Sequence, residues 1–194
     1  VLREELGLNQ PLIVQYGRWV LGLLRGDIGN SIAQQLPVAQ ILGPKIVNSL
    51  ILMAGSLFLV LVFGFLLSVV AAPRFRTVTD RVVVAFTLVL ASLPVFWLGI
   101  VLLYFFAFKW KLFPVSGMYN TINPGGFGQL LHHMVLPAVT TAASSIAVVT
   151  RVTRSRMIDV LGQPYILAAR ARGQTRNQVV MRHAVRNTLP TFAN

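Results

Sequence analysis

Residues 49–72, "SLILMAGSLFLVLVFGFLLSVVAA", decide what kind of fold this chain can adopt. They contain no Asp, Glu, Lys or Arg, and the uncharged run around them extends over residues 46–73. Crossing a bilayer takes about 20 apolar residues at a helical rise of ~1.5 Å each, so this run suffices. The whole chain agrees with its most apolar part. It is 55% hydrophobic and 11% charged, with mean hydropathy +0.70, whereas a soluble domain carries roughly 25% charged residues. An integral membrane protein follows. A bilayer admits only helices or closed barrels, and the apolar runs lack the alternation of barrel strands, so the expected fold is an all-α transmembrane bundle. With no cysteine, disulfide and thiolate-metal chemistry are excluded.

Two further runs complete three expected spans, at about 46–72, 82–108 and 136–158. The second is "VVVAFTLVLASLPVFWLGIVLLYFFAF", with Pro94 near its middle, where a missing backbone donor predicts a kink. The third, "LPAVTTAASSIAVVT", is rich in Thr, Ser and Ala. Pro137 suits the first helical position there. The hydroxyls of Thr140, Thr141, Ser144, Ser145 and Thr150 leave two readings open, pathway lining or close helix packing.

Flanking charge predicts the orientation. Arg74, Arg76 and Arg81 follow the first span, and Arg151, Arg154, Arg156, Arg170, Arg172, Arg176, Arg182 and Arg186 follow the third. The link between the second and third spans has only Lys109 and Lys111. The arginine-rich regions are therefore expected in the cytoplasm and residues 1–45 outside. That arrangement requires a span before Val1, and the chain reads as an internal piece of a longer one. Two parts are expected: an extracytoplasmic segment, 1–45, and a transmembrane part, 46–194, with a cytoplasmic loop at 159–190. Within the first, "NQPLIVQYGRWVLGLLRG" predicts a helix with Asn9 as cap, Pro11 near the first turn and Gly26 as stop. Leu12, Tyr16, Trp19, Val20, Leu23 and Leu24 share one face, which suits a helix lying in the membrane interface. A core helix of a small outer domain is the other reading.

Groups able to do chemistry are sparse. Adjacent His132 and His133 point to different faces of a helix, and no carboxylate lies near them in sequence to complete a metal set. There is no nucleophile turn of the G-x-S-x-G type. "NPGGFGQL" has the wrong glycine spacing for a phosphate loop and follows no strand. An intramembrane hydrolase using either histidine is the weakest of the functional readings. The first two spans carry no ionisable group, which argues against an ion- or proton-coupled carrier, the main alternative to the reading below.

The most informative segment is "QPYILAARARGQTRNQVVMRHAVRNTLP", residues 163–190, with five arginines and no acidic residue. A solvated loop, a patch for anionic lipid or nucleic acid, and a docking surface for another protein all compete to explain it. Pro164 can start a short helix that Gly173 ends. Thr175 and Gln178 have capping-box spacing, opening a second helix. Met181, Ala184, Val185 and Thr188 are expected on one face of that helix, and Leu189-Pro190 turns the chain back towards the membrane. Ala168, Ala169 and Ala171 keep the first helix thin enough for close approach. A lipid-binding run would cluster its basic residues, and these are spread along helices. Docking is the preferred reading.

"YILAARARG" followed by "RHAVRNTLP" resembles the cytoplasmic coupling signature of ABC-importer permeases of the dipeptide/oligopeptide (peptide/nickel) family. Ala168, Ala169 and Gly173 occupy the places of its two small residues and glycine, and Leu167 stands where an acidic residue is usual. "LREELGLNQPLIVQYGRWVLGLLRGDIGNSI", "ASLPVFWLGIVLLYFFAFKWKLFPVSG" and "LPAVTTAASSIAVVTRVTRSRMIDVLGQPYI" resemble further parts of such permeases in the same order, so the resemblance covers nearly the whole chain. It implies a bundle of the type I ABC-importer kind in a bacterial or archaeal cytoplasmic membrane. It implies peptide import driven by ATP, with a second homologous permease, two ATPase subunits and an extracytoplasmic substrate-binding protein as partners. It further implies that ATP and Mg are bound by the partner subunits, with no catalysis, cofactor or metal in this chain. Tyr165, Ala168, Ala169, Arg170, Ala171 and Gly173 would contact an ATPase, whereas exposed Arg176 is expected to matter less.

Overall fold

A computed structural model of the chain describes residues 10–119 and 125–188. Among them there is no β-strand. The regular elements are helices, apart from one isolated bridge between Asn30 and Pro37. The chain forms two compact units, residues 1–51 and 52–194.

In the first unit, α1 (Leu12–Leu24) follows Pro11 and buries none of its residues. Tyr16 and Trp19 lie one turn apart with ring centroids at 6.1 Å. Gly26, at φ +83, stops the helix, as a left-handed position requires. The expected cap Asn9 lies outside the described residues.

α2 (Val38–Ala71) continues from the first unit into the second and at standard rise is roughly 51 Å long. In the second unit its buried stripe is Val60, Gly64, Ser68 and Ala71. These residues recur at three- and four-residue intervals, so they lie on one face. Small residues let the backbone of α5 (Phe127–Leu161) come close. A Cβ on Gly64 would lie 2.7 Å from Val149 Cγ1, and Ser68 donates to the Gly64 carbonyl at 2.6 Å and the Thr150 carbonyl at 3.1 Å. Val60, Ala142 and Ile146 form the apolar centre of this seam.

α3 (Val78–Ser92) and α4 (Val95–Leu102) are separated by Leu93 and Pro94, both extended. The expected kink is a break of 102° between the two helical segments. Proline drives the residue before it out of the helical region and itself lacks an N–H. Two consecutive residues leave the helix, where a kink would bend only one turn. α4 continues into a wider π-type stretch, Leu103–Lys109. α2 and α5 are each long and apolar enough to cross a membrane, and the bent pair α3–α4 passes the same test when taken together.

Pro137 is not the first helical residue expected. It lies inside α5, which starts at Phe127 after Gly126. The turns before it are anchored by buried Met134 and Leu136, and interior proline is tolerated where neighbouring groups satisfy the freed backbone. His132 donates to the Leu112 carbonyl at 2.7 Å and His133 to the Gly117 carbonyl at 3.0 Å, so the pair pins the preceding loop. The hydroxyl residues of α5 divide. Thr150 is buried in the seam, whereas Thr140 and Thr141 line a cavity of about 370 Å³ with Gly99, Ser116 and His133.

Candidate functional site

α5 ends at Leu161, and after Gly162 and Gln163 α6 (Pro164–Ala171) begins. Proline at the first position needs no donor there. At the other end Gly173 has φ +83. Its N–H bonds to the Arg170 carbonyl at 2.9 Å and that of Gln174 to the Ala169 carbonyl at 3.3 Å, a Schellman stop. Thr175 and Gln178 form a reciprocal capping box that opens a composite helix, α7, over residues 176–188. Both helix boundaries thus follow the sequence signals.

The two faces of α6 differ sharply. Ile166 and Ala169, one turn apart, are fully buried and cluster with Val179 and Leu161. Leu167, Ala168, Arg170 and Ala171 face outward, Leu167 with 64% of its surface free. Tyr165 is partly exposed, and its hydroxyl accepts from Asn187 Nδ2 at 3.0 Å. Of the six expected contact residues, Tyr165, Ala168, Arg170, Ala171 and Gly173 are open to a partner. Ala169 is not. Its small side chain brings α6 close to α7, so its role here is internal packing.

α7 departs from the expected register. Its buried residues are Val179, Val180, Ala184 and Thr188, with Met181 59% exposed. Residues Val180–Val185 take a π-type turn, and the extra residue in that turn carries Met181 off the buried side. Val180 and Ala184 pack with Ala72 and Met157 in a second cluster that Leu161 also borders. Leu161 therefore touches both clusters and joins the base of α6 to the ends of α2 and α5.

Sequence reasoning missed the polar centre beside this block. Arg154 of α5 grips Asp80 of α3 in a bidentate contact through one guanidinium edge, Nε to Oδ1 at 2.6 Å and Nη2 to Oδ2 at 2.7 Å. Asp80 is 3% exposed. Its Oδ2 also accepts from the N–H of Arg76 at 3.0 Å, a residue held at φ +64. Phe75 lies against the guanidinium groups of both Arg76 and Arg154, at 5.2 and 5.5 Å. On the other flank of α6, Arg176 donates to the Pro73 carbonyl. A signal for Asp80 was present: Thr77-Val-Thr-Asp80 has N-terminal capping spacing, although the Thr77 hydroxyl instead donates to the Arg74 carbonyl.

Comparison with known proteins agrees with this architecture. Residues 64–194 match the family model described as "Binding-protein-dependent transport system inner membrane component". The chain is 37% identical over 186 residues to the "Probable peptide ABC transporter permease protein y4tP" of Sinorhizobium fredii, covering 96% of this chain and 59% of the relative. It is 34% identical to the oligopeptide transport system permease protein AppB of Bacillus subtilis, covering 96% and 59%. To the dipeptide transport system permease protein DppB of Escherichia coli it is 33% identical, covering 97% and 62%. The chain thus spans about three fifths of the length of these curated relatives. Its apolar helices and family match lead to one assignment: the chain belongs to the binding-protein-dependent transport system inner membrane components, the permeases of ABC transporters.

Proposed function

We propose that this chain is part of a permease subunit of an ATP-driven importer that moves di- or oligopeptides across a bacterial or archaeal cytoplasmic membrane. Family membership supports the reading, as do the relatives' names, which specify peptide, oligopeptide and dipeptide transport. The observation that carries it is the outward side of α6. There exposed Leu167 sits with Ala168 and Ala171 on a helix whose other side is firmly packed. A thin apolar face on a rigid base suits close docking of another protein.

In this reading one of two ATPase subunits docks at α6, through Tyr165, Leu167, Ala168, Arg170, Ala171 and Gly173. The ATPase subunits bind ATP and Mg and perform the hydrolysis. A second homologous permease completes the pathway, and an extracytoplasmic binding protein delivers substrate. The arginine-rich turn at 72–81 and the 159–190 loop are cytoplasmic, with residues 1–45 and Tyr119 outside, consistent with the distribution of Lys and Arg. Movement of α6 on ATPase closure would be carried through Leu161 and Val179 to the spanning helices.

The test is isolation of the complete protein from its native membrane, followed by reconstitution in vesicles. Two ATPase subunits and a second permease should co-purify, and labelled di- or oligopeptide should accumulate only with ATP and binding protein. Uptake without ATP, driven by an ion gradient, would replace this reading with a coupled carrier.

A further inference from the structure

Two arginines bracket α6, and both reach the same turn. Arg154, before α6, holds Asp80 in a two-pronged fork. Arg176, after it, donates to the carbonyl of Pro73. Their targets are Pro73, in the short connection between α2 and α3, and Asp80, in the first turn of α3. Asp80 in turn fastens the left-handed Arg76 backbone near the end of that connection, and Phe75 stacks against Arg154 and Arg76 together. Ala72, at the start of the turn, is buried against Met157, Val180 and Ala184.

Apolar packing alone would hold these elements together, but it lacks direction and allows one surface to slide over another. A bidentate guanidinium–carboxylate fork fixes angle as well as distance. A buried ion pair is also a poor source of net stability, because desolvating both charges offsets their attraction. Its placement here calls for a different role. We propose that Arg154, Asp80 and Arg176 are positioning residues that convert displacement of α6 into movement of the α2–α3 turn, and thereby of both helices leaving it. This rests on the importer reading, in which α6 is the element that an ATPase moves.

The inference predicts uncoupling rather than collapse. Asp80→Asn, Arg154→Gln and Arg176→Gln would be placed in the complete transporter, purified with its co-purifying subunits and reconstituted. ATP hydrolysis and peptide uptake would be measured in the same vesicles. Subunit retention and basal hydrolysis should persist, while peptide moved per ATP falls about tenfold for the Asp80 and Arg154 variants, a size of effect that single residues can exert on coupling. Residues 1–194 contain no cysteine, so in a transporter freed of any cysteines elsewhere Asp80→Cys with Arg154→Cys gives a rescue arm. Joining the two thiols with a short bifunctional thiosulfonate should restore peptide moved per ATP.

Wild-type yield per ATP in the Asp80 and Arg154 variants would overturn the inference while leaving the importer intact. So would a parallel loss of hydrolysis and uptake, or of subunits, that cross-linking does not repair, since that pattern marks a merely structural pair. Absence of ATP-driven uptake in the wild-type protein would instead remove the importer reading, and this inference with it.

Discussion

Replacing Ile166 by alanine tests whether α6 is a docked helix with two distinct faces. Ile166 is fully buried and packs with Ala169, Val179 and Leu161. The substitution removes three carbons. At ~0.8 kcal/mol per buried methylene the transfer loss alone is about 2.4 kcal/mol, and an unfilled cavity can take such changes to ~2–5 kcal/mol. α6 has eight residues, far below the ~12–15 at which an isolated helix becomes even marginal in water. Its order therefore depends on this contact. A loss of about 2.4 kcal/mol multiplies the undocked population by roughly 50-fold, at ~1.4 kcal/mol per factor of ten. Amide hydrogen exchange followed by mass spectrometry reads that population directly. Peptides covering 164–173 should exchange between ten- and a hundredfold faster, about the range that loss implies, with 140–150 unchanged. Leu167→Ala, on the open face, should leave exchange at its wild-type rate and weaken ATPase retention instead. Unchanged protection in Ile166→Ala, or equal deprotection in Leu167→Ala, would refute the two-faced description.

Three further outcomes are expected. Gly64→Ala should lower the unfolding temperature of the purified protein, because the new Cβ would sit 2.7 Å from Val149 Cγ1 and overpacking costs ~1–3 kcal/mol; adding Val149→Ala should recover much of the loss, and a wild-type melt for the single variant would contradict the close seam. Gly173→Val should destabilise the end of α6 by at least ~1–2 kcal/mol, the penalty of a left-handed backbone for a residue with a Cβ, given φ +83 at that position. Faster exchange at 170–175 and reduced uptake are the readouts, Gly173→Asn should be milder, and equal behaviour of the two variants would count against the strain argument. Thr150→Val should melt at or above the wild-type temperature. The Thr150 hydroxyl is buried without a hydrogen-bond partner, an arrangement costing ~1–3 kcal/mol, and a clear drop in melting temperature would show that the hydroxyl has a role.

Features set by neighbouring residues were legible in the sequence. Charge-free runs marked α2 and α5 because transfer of side chains into lipid depends on composition alone. Pro164, Gly173 and the Thr175–Gln178 pair marked the limits of the last helices because capping and backbone handedness act within one turn. The alanine-and-glycine pattern that pointed to a permease lies within the same few residues. The six candidate contact residues were therefore legible as a stretch of chain, while their division between buried and open faces was not. Several faces of α6 carry alanine, so nothing in its pattern distinguishes Ala169, which is buried, from Ala168, which is not.

What only the tertiary structure decided joins residues far apart in sequence or depends on register. Arg154 meets Asp80 across 74 positions and Arg176 meets Pro73 across 103. Many arginines were available for each role, and only the approach of α5 and α7 to the α2–α3 turn selects these two. The π-type turn at Val180–Val185 exchanged Met181 for Val180 on the buried side, a choice settled by packing against Ala72 and Met157. Pro94 announced a disturbance, but its size, 102°, followed from Leu93 leaving the helix as well. Local chemistry thus determined where helices start, stop and enter lipid, while packing determined which of their faces meet, because that choice depends on distant side chains sharing one volume.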